Sequence, residues 1–354
     1  MSNLSPENQV LERNIDQFPA GDILLLDVMP DDAPLNFASV RQDITWHGFT
    51  PFFDTHQFFQ TKKFHKFDVS FSAWFDTEQR FDAIVIYYPK AKHRFDYYLS
   101  MASKLLNDNG LIYVVGEKKG GIKSCDKGLK PFVIKANKID SARHCMLYIG
   151  ASNGVVCPKT MEQWYSSTTL DIEVTGETIS LTLFSLPGTF SANRLDDGTE
   201  LLLKTITSVT GKGLDFGCGC GVISAAVGKR FGTPMTAVDV DALAIASSNK
   251  TFEYNNIKAK ALASNGLSQL IAKADKFDFI VTNPPFHTGI DTDYNITEQF
   301  IQHSKKVLQP KYDFWMVANA FLPYPDVFKH YLKPVDVKSN NKRFNIYHAG
   351  TSIN

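Results

Sequence analysis

Residues 213–230 read GLDFGCGCGVISAAVGKR, a short apolar strand followed by a glycine-rich turn and a helix of small residues. A second strand is predicted over 235–240, a helix over 242–255 and a further strand over 277–282. Strands and helices that alternate after an early glycine-rich turn indicate a mostly parallel, doubly wound α/β sheet. Such sheets bind ligands at the carboxyl ends of their strands, so the residues that follow each strand are the candidates for a functional site.

The N-terminal half of the chain repeats this plan. The segment 81–89, FDAIVIYYP, aligns without gaps with 277–285, FDFIVTNPP, and the apolar segment 23–27 ends in an aspartate as 214–215 does. Matching landmarks in one order favour a duplicated domain over a chance similarity between two α/β sheets. We therefore predict two tandem Rossmann-like domains.

A third kind of pattern separates the two halves. Apolar and polar residues alternate over 170–174 and 179–183, around Thr-Gly-Glu, which predicts an antiparallel β-hairpin. We assign this hairpin to the second half. The predicted domains are therefore 1–156 and 157–354.

The composition excludes several classes of protein. Of 354 residues, 44% are hydrophobic and 21% are charged, which is unlike a disordered or fibrous chain. No apolar run approaches the roughly 18 residues that span a bilayer, and the start, MSNLSPENQV, shows no secretory signal. Five cysteines, without a second pair to complete a zinc site, predict neither disulfides nor a metal. We expect a cytoplasmic protein with no membrane segment.

The glycine-rich turn is typical of one cofactor. Gly217, Gly219 and Gly221 would let the backbone turn tightly and approach a ligand. A dinucleotide site would show G-x-G-x-x-G facing a pyrophosphate, whereas this turn shows G-x-G-x-G with Asp215 two residues before the first glycine. That spacing is the pattern of S-adenosylmethionine (SAM) methyltransferases, whose cofactor carries a cationic amino group and no phosphate. We predict a SAM site here, with a purely structural turn as the alternative.

Polar residues also follow the next strands. Asp239 ends the second predicted strand, where a carboxylate can accept hydrogen bonds from both ribose hydroxyls. Asp241 is predicted to cap the helix that follows. Asn265 comes after Ala261-Leu-Ala-Ser, where another strand should end, and is predicted to lie near the adenine edge of the cofactor. In isolation, Asn265-Gly would indicate a plain turn.

The segment Asn283-Pro-Pro-Phe286 directly follows a predicted strand. An amine conjugated to an aromatic ring is a poor nucleophile because its lone pair is delocalised. The Asn283 side-chain oxygen and the Pro284 carbonyl can accept its hydrogens and stabilise the charge that develops as the nitrogen attacks a methyl sulfonium. Pro284 and Pro285 would fix the backbone, and Phe286 would stack on the base. Following G-x-G-x-G, this segment predicts an amine-directed methyltransferase.

With these motifs in place, the sequence resembles ribosomal RNA small subunit methyltransferase C, a family of bacterial 16S rRNA guanine-N2 methyltransferases. The resemblance covers nearly the whole chain. The segments that carry it are Leu186–Phe190, Asp215–Gly219, Asn283–His287, Val317–Asp326, Lys342–Phe344, Tyr87–Lys90, Val115–Glu117 and Asn137–Arg143. Lys342 departs from the family, which more often has glycine there, so the conformation of the loop that carries Arg343 is open.

The resemblance implies two methyltransferase-like domains, of which the first is degenerate and the second is active. The chain fits this division. After Asp27 comes Val-Met-Pro-Asp-Asp with no glycine, and Tyr87 and Tyr88 stand where the second half has Asn283 and Pro284.

The resemblance also implies the substrate and its contacts. Phe190 would contact the cofactor and Arg343 would bind RNA. The target would be the exocyclic N2 of a guanine in 16S rRNA, by resemblance guanine 1207 of the assembled 30S subunit. That base would have to be turned outward into the pocket. We expect the enzyme to be a monomer.

The net charge is zero but is unevenly distributed. Residues 1–60 carry a net charge of −7 and residues 61–150 one of +7, with eight basic and two acidic residues within 118–143. Such a stretch is either a solvated face or a nucleic-acid patch. We predict that the first domain docks on RNA and stabilises its partner. The residues predicted to contact phosphates are Lys118, Lys119, Lys123 and Lys127.

Other functions stay open at this point. A sister family that acts on guanine N2 of 23S rRNA shares the two domains and Asn-Pro-Pro-Phe, although the following His-Thr-Gly-Ile-Asp favours the small-subunit family. Adenine-N6 and protein glutamine-N5 methyltransferases use related Asn-Pro-Pro segments. A non-catalytic RNA-binding module is the alternative from another class, and the intact motifs of the second half argue against it.

Overall fold

The computed structural model describes residues 4–62, 67–190, 194–284, 290–322, 324–332 and 334–350, and for 290–296 and 325 it describes the backbone alone. The chain divides into two compact units, Met1–Trp164 and Tyr165–Asn354. No helix within the described ranges is long and apolar enough to cross a membrane.

The first unit consists of one twisted sheet with helices and short 3₁₀ turns around it. Its strands are β1 (Gly21–Leu26), β2 (Ile44–Thr50), β3 (Val69–Phe71), β4 (Phe81–Tyr87), β5 (Leu106–Glu117), β6 (Asn137–Asp140) and β7 (Cys145–Ala151). Its helices are α1 (Pro6–Arg13), α2 (Ala33–Val40), α3 (Phe53–Lys62), α4 (Lys92–Leu105) and α5 (Cys125–Leu129). The strand order is β3-β2-β1-β4-β5-β7-β6.

The second unit begins with a hairpin, β8 (Ser166–Val174) and β9 (Glu177–Ser185), and continues into a second sheet. The strands of that sheet are β10 (Gly213–Phe216), β11 (Met235–Asp239), β12 (Ala259–Ala263), β13 (Phe277–Thr282), β14 (Leu308–Asn319), β15 (Val335–Asn340) and β16 (Phe344–Gly350). Its helices are α6 (Asp197–Thr205), α7 (Val222–Phe231), α8 (Ala242–Tyr254), α9 (Ser268–Ala272), α10 (Ile290–Val307) and α11 (Tyr324–Tyr331). The strand order is β12-β11-β10-β13-β14-β16-β15.

The two sheets have the same topology. In each, five neighbouring strands run parallel, and the last two strand pairings of the sheet are antiparallel. The register repeats as well. Leu25 pairs with Val85 in the first sheet, and Asp215 pairs with Val281 in the second, where Val85 and Val281 are separated by the same 196 positions as the two aligned segments. The prediction of two tandem α/β domains of one doubly wound type is confirmed.

The central strands of the second sheet are buried on both faces. Phe279 and Val281 of β13 pack with the hairpin and with α6 and α7, while Ile280 faces the side covered by α10 and α11. A strand with two buried faces reads as a continuous apolar run, which explains why β13 was recognisable at its observed bounds. The hairpin turn was also recognisable: Thr175 and Gly176 both have positive φ, as a tight two-residue turn requires.

The boundary between the two compact units follows Trp164, eight residues beyond the predicted boundary at 156. The intervening segment packs on the first unit: the Cys157 N–H donates to the Ser103 hydroxyl at 3.0 Å, and the Trp164 ring lies edge-on to Tyr97, with centroids 5.6 Å apart. Cys157 is only partly buried, unlike the buried thiols of Cys125 and Cys145. Nothing in the composition of this segment marks it as part of the first core.

Candidate active site

The turn after β10 requires its glycines. Gly217, Gly219 and Gly221 all have positive φ, of 71°, 55° and 82°. A Cβ on Gly219 would lie 3.2 Å from the Phe190 carbonyl oxygen, and a Cβ on Gly221 would lie 2.7 Å from the Phe252 ring. Phe190 therefore lies directly against the turn, with 42% of its surface exposed. Its contact with a cofactor stays a prediction.

Asp215 is completely buried in β10. Its Oδ2 accepts hydrogen bonds from the Ser224 N–H at 3.0 Å and the Ser224 hydroxyl at 2.9 Å. Within the described ranges its Oδ1 has no hydrogen-bond partner. Burial raises the pKa of Asp215 to about 7, against the two Ser224 hydrogen bonds, which lower it. An unpartnered buried carboxylate oxygen is stabilised by a cationic group brought next to it.

Asp239 ends β11 and is tied to the glycine turn. Its Oδ2 accepts from the Gly219 N–H, and its Oδ1 accepts from the Asp241 N–H, both at 3.0 Å. Burial and the neighbouring Asp241 raise the pKa of Asp239 to about 6. Asp241 accepts from the Leu243 N–H and caps α8, so its predicted role is confirmed.

Asn265 lies in the loop after β12, with an exposed side chain. Its backbone N–H donates to the Gln269 side-chain oxygen at 2.9 Å, and the preceding Ser264 N–H donates to the Asp239 carbonyl at 3.0 Å. The loop is thus attached to the end of β11. Asn265 lies at the same carboxyl edge as Asp215 and Asp239, and its role near adenine stays a prediction.

Asn283 follows β13, the neighbour of β10 on the other side. Its side-chain nitrogen donates to Asp196 Oδ2 and to the Thr199 hydroxyl, each at 2.9 Å. Neither Asp196 nor Thr199 was identified from the sequence, although Asp196-Asp-Gly-Thr before an apolar segment is a recognisable helix start. Pro284 is buried. The other two residues of the motif, Pro285 and Phe286, lie outside the described residues.

The matching edge of the first unit carries different groups. Asp27 has a positive φ of 67°, and its N–H donates to the Phe49 carbonyl. Gly217 in the second unit has a φ of 71°, and its N–H donates to the Val238 carbonyl in the same way. Asp27 is therefore the counterpart of Gly217. Matching Asp27 to Asp215 from the sequence is wrong, and the register assigns Leu25 to that place.

The place of Asn283 in the first unit is also occupied by another residue. The Tyr87 hydroxyl donates to the Asn8 side-chain oxygen, and the Asn8 amide donates to Asp31 at 2.8 Å. The first unit therefore lacks the carboxylate of the cofactor turn and the amide after the strand. This agrees with the degenerate first domain that the sequence suggested.

The predicted lysines lie at this same carboxyl edge of the first sheet. Lys118 comes directly after β5, and Lys119, Lys123 and Lys127 follow in exposed short turns and in α5. Two lysines after β4 were missed: Lys90 and Lys92 are exposed, and a Cβ on Gly121 would lie 2.9 Å from the Lys92 side chain. We call Lys90, Lys92, Lys118, Lys119, Lys123 and Lys127 the lysine surface. None of the six forms an ion pair with a described residue.

Arg343 lies in the second unit, in the turn before β16. Its guanidinium donates to Asp197 at 2.7 Å, at the start of α6 and one residue after the Asp196 that contacts Asn283. Its carbonyl accepts from the Ala320 N–H after β14, so the turn is held despite Lys342 in place of glycine. The structure thus brings Arg343 to the edge that carries Asn283.

Both halves of the chain are similar to known methyltransferase families. Residues 8–168 match the Methyltransferase small domain N-terminal family, and residues 180–348 match the Methyltransferase small domain family. Ribosomal RNA small subunit methyltransferase C of Pseudoalteromonas atlantica is 39% identical over 351 residues, covering 97% of this chain and 98% of that protein. The protein of the same name from Shewanella loihica is 37% identical over 348 residues, again covering 97% and 98%.

The chain belongs to the ribosomal RNA small subunit methyltransferase C family. A solved structure from T. thermophilus, described as the 16S rRNA N2 G1207 methyltransferase in complex with AdoMet and guanosine, has a TM-score of 0.82 and 19% identity to it, covering 99% of this chain and 93% of that one. At that identity the match shows the shared fold. As a member of the ribosomal RNA small subunit methyltransferase C family, the chain is an enzyme, and the family predicted from its motifs is confirmed.

Proposed function

We propose that the chain transfers a methyl group from SAM to the exocyclic N2 of a guanine in 16S rRNA. The observation that carries this proposal is a pair of acceptors at the ends of two adjacent strands. Among the described residues, Asp215 in β10 presents a buried Oδ1 without a hydrogen-bond partner, and Asn283 after β13 is held by its nitrogen, which leaves its oxygen for another group. The first acceptor suits a cationic amino group, and the second suits a neutral amine.

The residues at this edge fit SAM. Asp215 would hold its amino group and Asp239 its ribose hydroxyls. The turn from Gly217 to Gly221, whose three glycines have positive φ, would approach the cofactor with its backbone. Phe190 and Asn265 would border the site. When bound, SAM supplies a methyl group on a positively charged sulfur.

Asn283 and Pro284 would contact the amine. The Asn283 Oδ1 and the Pro284 carbonyl would accept the two hydrogens of the amine, favour a pyramidal nitrogen and stabilise the positive charge that develops on it. The roles of Pro285 and Phe286, fixing the backbone and stacking on the base, rest on the sequence alone. Because the N2 amine of a paired or stacked guanine is hidden within the folded RNA, the base must be flipped out to reach these acceptors.

The identity of the nucleotide rests on relatives. The family name specifies the small subunit, and the T. thermophilus protein is described as acting on N2 of G1207. We extend this to guanine 1207 of the assembled 30S subunit. In this proposal the chain works as a monomer in the cytoplasm, where ribosomal subunits are found.

The first unit has a different part in this proposal. Its lysine surface would bind rRNA phosphates, and Arg343 would do so at the edge of the second unit. Four lysines predicted from the sequence and two added by the structure share one edge of the first sheet, which supports a docking surface over scattered solvated charges. Such contacts supply affinity and position the enzyme, without reading the sequence.

The proposal is tested by the choice of substrate. The purified chain and labelled SAM are incubated separately with 30S subunits, free 16S rRNA and 50S subunits, all from cells that lack the modification, and the digested RNA is analysed by mass spectrometry. We expect N2-methylguanine from 30S subunits. Label in 50S subunits would indicate the function of the sister family. Methyladenine as the product, or no product from any of the three substrates, would overturn the proposal.

A further inference from the structure

We propose that Asp196 and Thr199 are positioning residues that fix the orientation of the Asn283 amide, so that its oxygen faces the amine being methylated. The inference deepens the proposed function and rests on it. It concerns the start of α6, a part of the chain that the sequence motifs did not single out.

The hydrogen bonds determine which way the amide points. A carboxylate can only accept hydrogen bonds, so the end of the Asn283 amide that faces Asp196 must be the nitrogen. The nitrogen has two hydrogens, and the Asp196 Oδ2 and the Thr199 hydroxyl each accept one at 2.9 Å. The Oδ1 is then the polar atom that the side chain has left for a substrate.

The two acceptors are themselves held in place. Asp196 Oδ2 also accepts from the Gly198 and Thr199 N–H groups, at 2.9 and 3.0 Å, and caps the N-terminus of α6. Thr199 is 1% exposed. The amide is therefore attached to the rigid end of a helix, and turning it over would oppose its oxygen to a carboxylate. Preorganised acceptors of this kind avoid reorganisation during the reaction.

The first unit has a similar contact between the start of a helix and the end of a strand, although it lacks the groups proposed for catalysis. Asn8 is the third residue of α1 after its cap, Ser5, just as Thr199 is the third residue after the cap Asp196. Asn8 contacts Tyr87, the counterpart of Asn283. A contact between helix start and strand end is thus present in both copies, and a purely structural role is the alternative that the experiment must separate.

Three variants of the whole chain separate the two roles. Thr199→Val removes the hydroxyl but keeps the shape, the backbone and the Asp196 cap. Thr199→Ser keeps a hydroxyl. Thr205→Val is the matched control, since Thr205 is on the same helix and its hydroxyl donates to the Leu201 carbonyl.

We expect Thr199→Val to lower the kcat of methylation about tenfold, as loss of one hydrogen bond would. KM for 30S subunits and the affinity for SAM should stay within about twofold, and Thr199→Ser should restore most of the rate. Thr205→Val should keep the kcat of the parent. Parental kcat in Thr199→Val, with an active parent, would overturn the inference and leave the proposed function intact.

A fourth variant, at the other acceptor, guards against a local folding defect. Asp196→Ser keeps a good helix cap but removes the charged acceptor, and we expect a loss of about 10–100-fold in kcat. In the Asn283→Ala background neither Asp196→Ser nor Thr199→Val should lower the residual rate further, because the amide they orient is gone. Additive losses in that double-variant comparison would show a structural role and overturn the inference.

A spectroscopic measurement tests the orientation without any reaction. In protein labelled with ¹⁵N in asparagine side chains, the Asn283 amide signal is identified by its disappearance in Asn283→Ala. We expect Thr199→Val and Asp196→Ser to shift that signal and Thr205→Val to leave it unchanged. An Asn283 signal that neither variant moves would also overturn the inference. If the parent itself methylates nothing, the proposed function fails, while these spectra still report on the hydrogen bonds of the amide.

Discussion

At the scale of single residues, the site depends on groups whose ordinary hydrogen-bonding or charge preferences are not met by the protein alone. Asp215 is buried, its pKa is raised to about 7, and one of its oxygens has no hydrogen-bond partner in the part of the chain that the structure describes. In Asn283 both hydrogens of the amide are already engaged by Asp196 and Thr199, so its oxygen is the atom that can accept from a substrate. Asp215 is thus suited to a cation, and Asn283 to a hydrogen-bond donor.

Removing the charge of Asp215 should stabilise the protein while preventing SAM binding. Because the pKa of Asp215 is higher in the folded chain than its unfolded value near 4, ionisation opposes folding from about pH 4 upward and fully above about pH 7. We expect Asp215→Asn to be more stable than the parent by about 1–2 kcal/mol at pH 8, with the difference gone near pH 4. Thermal melting at the two pH values measures this. A variant less stable at pH 8 than the parent would contradict the assignment.

Truncating Asn283 should impair the reaction and spare the cofactor. Its acceptor is placed for the amine, so we expect Asn283→Ala to lower the single-turnover rate by about 10²–10³. Calorimetric titration should find SAM affinity close to that of the parent. A near-normal rate would refute the role of this amide, and a large loss of SAM affinity would place it in the cofactor site instead.

At the scale of elements, the glycine turn explains why the motif tolerates no side chain. Gly221 is the N-cap of α7 and Gly232 is its C-cap, both with positive φ. A Cβ on Gly221 would lie 2.7 Å from the Phe252 ring, whereas a Cβ on Gly232 would meet nothing within 4 Å. Backbone strain is therefore common to both positions, and the collision is specific to Gly221.

This pair of glycines gives a matched prediction. Gly232→Ala should cost about 1 kcal/mol of unfolding free energy for the strained backbone. Gly221→Ala should cost about 1–3 kcal/mol more, because an overpacked core must also rearrange. Urea denaturation followed by the same probe compares the two, and equal losses would mean that the collision at Phe252 is relieved without cost.

Much of the architecture was accessible from the sequence because it is local. The bounds of β13 and the tight turn at Thr175 follow from periodicity and turn chemistry. The contacts of Asn283 with Asp196 and Thr199 were not accessible, since they join residues more than 80 positions apart that only the fold brings together. The correct counterpart of Asp215, Leu25, likewise required the register of the sheet.

At the scale of the whole molecule, two copies of one fold have diverged in their chemistry. The first unit has Leu25, Asp27 and Tyr87 where the second has Asp215, Gly217 and Asn283. We therefore expect one SAM site per chain. Calorimetric titration of the full chain should give a stoichiometry near one, abolished by Asp215→Ala. Two sites, or one site that survives Asp215→Ala, would contradict the loss of SAM binding by the first unit.

The lysine surface gives the first copy its proposed role, which salt dependence can test. Replacing Lys118, Lys119, Lys123 and Lys127 with Gln should raise KM for 30S subunits and flatten the log–log salt slope of binding by about one unit for each phosphate that is no longer neutralised. Affinity for SAM should not change. A control variant replaces four other exposed lysines, Lys258, Lys260, Lys273 and Lys311, and should keep the parental slope. An unchanged slope in the first variant would mean that the lysine surface is only a solvated face.

The most direct test is made on ribosomal RNA from cells. In a strain from which the gene has been deleted, mass spectrometry of 16S rRNA should find the guanine at position 1207 unmethylated at N2. The parental gene should restore the methyl group, and the gene for Asn283→Ala, expressed at the same level, should not. A methyl group that persists in the deletion strain, or that Asn283→Ala restores in full, would contradict the account.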